Sequence, residues 1–130
     1  MNRRSGGTAV EFSIVAPVFF LLVLAMIEFG RMVMCYQVLT NAAREAARVG
    51  ALPGATTVNL IQRGNAKLAA GAVRGATVSV VPAEIAGLNQ GDRFTVTVEG
   101  PYDAMSWLPI PQWLGGRHLV ADVTMVREGK

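Results

Sequence analysis

The sequence predicts an α+β protein, in which a long N-terminal transmembrane helix continues into a small extracytoplasmic domain made of a short helix and a small antiparallel β-sheet. Three observations predict it. The chain is 52% hydrophobic and 16% charged, and the apolar excess is concentrated between Phe12 and Leu39. A helical stripe continues beyond that run, and three stretches of strand-like alternation follow in the C-terminal half.

Taking the elements in order, the N-terminus carries Arg3 and Arg4 and no acid before Glu11, after which Phe12 to Ile27 form a charge-free run of 16 residues. Cations retained on the cytoplasmic side put the N-terminus inside and the rest of the chain outside. Glu28 and Arg31 stand at i and i+3 and are expected to partner each other near the outer interface, with Met32 to Leu39 still largely apolar. The expected span is therefore about residues 12–36. Pro17 lies inside it, cannot donate to the carbonyl of Ser13, and is expected to bend the axis.

Past the span, Leu39, Ala42, Ala43, Ala46 and Val49 fall on one stripe, while Asn41, Arg44, Glu45 and Arg48 fall on the other. One helix is thus predicted from about Thr8 to Val49, ended by Gly50-Ala51-Leu52-Pro53-Gly54. A second helix fits Thr57 to Ala70, with Val58, Ile61, Asn65, Leu68 and Ala72 as its inner stripe and Gly64 as a weak point. Strands are predicted at Thr77–Val81, Phe94–Glu99 and Leu119–Val126, with Asn89-Gln90-Gly91-Asp92 as the turn between the first two. In this reading residues 1–6 are a leader, 7–50 the long helix and 55–130 the extracytoplasmic domain. That domain is too small to bury a large core unless the long helix packs on it.

Charge and chemistry exclude several function classes. Arg3 and Arg4 supply two of the net +3 charges, so the chain without its leader carries +1, and no nucleic-acid partner is expected. One cysteine, Cys35, cannot close an intramolecular disulfide, and no Cys/His spacing suits zinc. Asp92, Asp103 and Asp122 are scattered, and His118, the sole histidine, reads as a surface residue. No catalytic group, cofactor, metal or small-molecule substrate is expected. The loop from Pro101 to Gly116 holds both tryptophans, and it reads first as a lid folding Trp107 and Trp113 over the sheet. The alternative is an exposed contact with a partner or with lipid.

The informative constellation is Gly6-Gly7-Thr8-Ala9-Val10-Glu11-Phe12, directly before the apolar run. A carboxylate at the mouth of a transmembrane helix costs a few kcal/mol unless it finds a cation, and a free α-amine a few residues upstream could supply one. The segment resembles the processing site of type IV prepilins, in which a membrane peptidase cuts after a glycine and a glutamate stands fifth in the mature chain. Counting back from Glu11 makes Gly7 the first mature residue and Gly6 the residue before the cut. Glu11-Phe12, Pro17, Glu28-Phe29-Gly30-Arg31 and Asn41-Ala42-Ala43-Arg44-Glu45-Ala46-Ala47-Arg48 together resemble the TadE-like family over about the first fifty residues. Gly7 departs from the larger apolar residue with which many pilins begin.

The resemblance implies a minor pilin or pseudopilin of a tight-adherence pilus. It implies a protein held in the bacterial cytoplasmic membrane, processed by a prepilin peptidase, and working with other pilin-like proteins. Pro17, Glu28, Arg31, Ala42, Ala43 and Ala46 are then candidates for helix packing and interface formation. Two other classes remain open: a secreted domain released after Val23-Leu24-Ala25, and an unprocessed single-pass scaffold.

Overall fold

The computed structural model describes residues 5–107 and 116–129. Its elements are α1 (Ser5–Ala51), α2 (Thr57–Ala70), β1 (Thr77–Val81), β2 (Arg93–Pro101), the single turn α3 (Tyr102–Met105) and β3 (His118–Val126). The α+β class is as predicted, with one long apolar N-terminal helix, a shorter helix and an antiparallel sheet of three strands among the described residues.

Helix α1 runs unbroken through Pro17 for 47 residues, about 70 Å at 1.5 Å per residue. Its second half forms the floor of the domain. Leu39, Ala42, Ala43, Ala46 and Ala47 are completely buried. Alanine at four of these positions lets the backbones of α1 and α2 approach closely. Gly64, expected as a weak point, is where α2 meets the sheet: a Cβ there would lie 2.9 Å from Val78 Cγ2 of β1 and at ordinary contact distance, 3.4 Å, from Ala46 Cβ. Gly50 is similarly constrained, because a Cβ would meet Leu60 Cδ1 at 2.6 Å and the Phe94 ring at 3.0 Å. The helix passes this glycine and ends at Ala51.

The buried face of α2 differs from the expected stripe. Leu60, Gly64 and Leu68 point inward at i, i+4 and i+8, whereas Val58 is 61% exposed and Asn65 and Ala72 face solvent. Of the expected stripe, Leu68 is buried and Ile61 packs against the core, so the inward face lies partly where expected; hydrophobicity alone adds Val58 to it and leaves out Gly64. Thr56 caps α2 by accepting from Asn59 N–H at 3.3 Å. The neighbouring Thr57 hydroxyl donates to Ala83 C=O at 2.9 Å and accepts from Ile85 N–H at 3.2 Å, which ties the β1–β2 loop to the helix and buries Ile85.

The sheet has the order β1-β2-β3, all antiparallel, with Val80 opposite Val96 and Val96 opposite Val123. Alternation is as predicted: Phe94, Val96 and Val98 are buried, and Leu119, Ala121, Val123 and Met125 belong to the same core. The outer face is polar, with Thr95 hydrogen-bonded to Thr124 at 2.8 Å and Thr97 donating to Asp122 at 2.7 Å. In the loop between β1 and β2, Asp92 N–H donates to Asn89 C=O while the Asp92 carboxylate accepts from Asn89 N–H, so the expected turn closes reciprocally.

Candidate functional site: the bare helix and the contact at its outer end

The N-terminal half of α1 has the sequence of a core helix and the surroundings of a surface one. From Phe12 to Ile27 most of its large apolar side chains, among them Phe12, Ile14, Phe19, Phe20 and Met26, are more than half exposed. Each would gain roughly 1.5–3 kcal/mol by leaving water. The helix is long and apolar enough to cross a membrane.

At the inner end, Gly6 and Gly7 occupy the first helical turn, with nothing within 4 Å of where a Cβ would stand. Glu11 and Phe12 are exposed one turn later. Ser13 returns its hydroxyl to Ala9 C=O at 2.7 Å, so its polar atom is satisfied within the helix.

At the outer end the domain takes hold of the helix. Glu28 and Arg31 do not pair with each other, as their spacing suggested; each reaches across to the segment around α3. The Glu28 carboxylate accepts from the Tyr102 hydroxyl at 2.8 Å and from the Ser106 hydroxyl. Arg31 Nε donates to Met105 C=O at 2.7 Å. Long-range hydrogen bonds to the domain replace the i,i+3 pair, which is weak when solvated. Burial, and then the bond to Glu28, push the Tyr102 hydroxyl up to about 12, so it stays protonated and donating at neutral pH. Met105 and Cys35 are buried beneath this contact.

Ala42, Ala43 and Ala46 are consumed within the chain, covered by its own domain. The opposite face of α1 is polar, as predicted. There Glu45 accepts from Arg63 of α2 at 2.7 Å and from Arg48 at 3.0 Å; these bonds, Arg63 first, hold its carboxyl below the usual range. Trp107 is 67% exposed and is no lid; Trp113 lies outside the described residues. His118 is exposed on β3. No group of three or more His, Cys, Asp or Glu side chains suited to a metal ion is found among the described residues.

Sequence reasoning missed the partners Tyr102 and Ser106, and also Arg127, which is buried and donates to Gly50 C=O at 2.7 Å and Ala55 C=O at 3.2 Å. The sequence signal available for Arg127 was its place directly after the last strand.

Residues 6–48 match the family model described as TadE-like protein. Neither a curated protein nor a solved structure matches the chain. The TadE-like segment takes in both glycines, Glu11, Pro17, Glu28, Arg31 and the alanine stripe. It stops three residues before α1 does, leaving α2 and the sheet outside the match.

Proposed function

We propose that the protein is a TadE-like minor pilin or pseudopilin, anchored in the bacterial cytoplasmic membrane with its N-terminus inside, and required for assembly of a tight-adherence pilus. One observation carries the reading: the TadE-like segment is a single helix whose first half is apolar and bare while its second half holds a folded domain. The protein acts by assembly and not by catalysis. Its partners are a prepilin peptidase, which cuts between Gly6 and Gly7, and other pilin-like proteins of the same machine.

Hydrogen bonding supports a refined span. Glu28 bonds to the domain, and most of the large apolar side chains before it are exposed, so the stretch from Gly7 to Ile27 is left for the bilayer. Its length of about 30 Å matches a hydrocarbon core. Glu11 then lies inside the inner leaflet, where its carboxylate needs a cation. The α-amine of Gly7 on a neighbouring helix supplies it, and each charge offsets part of the other's desolvation.

Deleting the gene should abolish surface pili, and the wild-type chain should restore them; unchanged piliation in the deletion strain contradicts the assignment. Glu11→Gln preserves volume and the glycine site, so leader cleavage should survive while co-purification with pilin-like partners and piliation fall. Intact association in Glu11→Gln would remove the charge pairing and leave the anchor in place.

A further inference from the structure

We propose that Trp107 seats the extracytoplasmic domain on the outer lipid headgroup region, making the domain a second membrane contact beside the helix. The proposal rests on α1 being the membrane anchor. Among the described residues, Trp107 is the only exposed aromatic side chain outside α1. Its neighbours fix its level along the helix. Ser106 donates to Glu28, and Met105 C=O accepts from Arg31. Glu28 and Arg31 are the first charged residues after the apolar run, so they mark where hydrocarbon gives way to water. Three hydrogen bonds, counting that of Tyr102, thus tether the segment carrying Trp107 to the outer end of the apolar surface, beside exposed Met26, Ile27 and Phe29.

An indole in that position is suited to lipid headgroups, since its ring is apolar and its N–H can reach water or a lipid carbonyl. The surrounding charges are mixed: Asp103 and Arg117 are both exposed, and Arg117 C=O accepts from Tyr102 N–H at 2.8 Å at the same end of the domain. The contact therefore depends on the indole and needs no anionic lipid. Elsewhere on the domain, exposed apolar side chains such as Val58, Val81 and Val126 are scattered singly and suggest no competing surface.

The test uses the full chain in phosphatidylcholine vesicles with Trp113→Phe, leaving Trp107 as the sole indole. Fluorescence is quenched in turn by lipids with a nitroxide near the headgroup, by lipids with a nitroxide deep in the acyl chain, and by aqueous iodide. The expected result is strongest quenching by the shallow label, weak quenching by iodide, and no change when a fraction of the lipid is made anionic. Glu28→Ala, which frees the tether, should raise iodide quenching and lower shallow-label quenching. Trp107 quenched mainly by iodide, mainly by the deep label, or by none of the three overturns the proposal. A Phe20→Trp probe in a chain with Trp107→Phe and Trp113→Phe separates the failures. If that probe answers to the deep label while Trp107 does not answer to the shallow one, the anchor stands and the headgroup contact falls; if neither answers, both fall.

Discussion

Arg127 and Tyr102 show how single side chains join segments far apart in the chain. The Arg127 guanidinium is buried at the C-terminal end of α1, where it donates to Gly50 and Ala55 carbonyls and complements the negative end of the helix dipole. The adjacent Glu128 N–H donates to Ala51 C=O at 2.9 Å, so the segment after β3 finishes the cap of the first helix. Arg127→Ala should lower stability by about 2–4 kcal/mol, read from denaturant unfolding in detergent, because it leaves buried carbonyls unpaired and opens a cavity. A loss within experimental error would remove this cap from the account. For Tyr102, the folded-state value of about 12 lies above the ordinary 10. The hydroxyl's contribution to stability is therefore fully present below about pH 10 and is lost as pH rises towards about 12. In Tyr36→Phe, where Tyr102 is the one tyrosine left, the tyrosinate absorbance should titrate near 12 and move down on Glu28→Gln; a midpoint near 10 before that change would mean that the hydroxyl does not meet Glu28. Neither role was legible in the sequence, since the partners of Arg127 are 77 and 72 residues away and those of Glu28 are 74 and 78.

At the scale of elements, the sequence carried more. The bounds of α2 and β1 were legible because a helical period of apolar residues and β-branched alternation are local signals. The core faces of β2 and β3 were legible because a period of two leaves little ambiguity of phase. The inward face of α2 was legible only in part, at Ile61 and Leu68, because that face is chosen by what fits against its neighbours, and a glycine has no hydrophobicity to register. Substitutions should follow the observed phase: Val58→Ala should change stability by less than about 0.5 kcal/mol, while Ala46→Leu, forced between α1 and α2, should cost about 1–3 kcal/mol or more. Thermal unfolding of the two variants in the same detergent compares them directly. Equal effects, or the reverse order, would put α2 in the phase first expected.

For the molecule as a whole, α1 serves two environments in series, a bare apolar surface before Glu28 and a helix that the domain grips at Glu28 and buries along one face from Cys35 onward. If the chain spans the membrane with its N-terminus inside, the domain after Gly50 is open to protease added to intact spheroplasts; protection until lysis would reverse the orientation. The backbone at Gly6 must approach a peptidase closely, so Gly6→Leu should leave the leader attached, whereas its normal removal would move the cut elsewhere. The most direct measurement is the mass and N-terminal sequence of the protein purified from membranes. A chain beginning at Gly7, with Glu11 fifth, is the predicted result; a chain that retains Met1, or one that begins at Met26 and has lost the apolar helix, would contradict the pilin account.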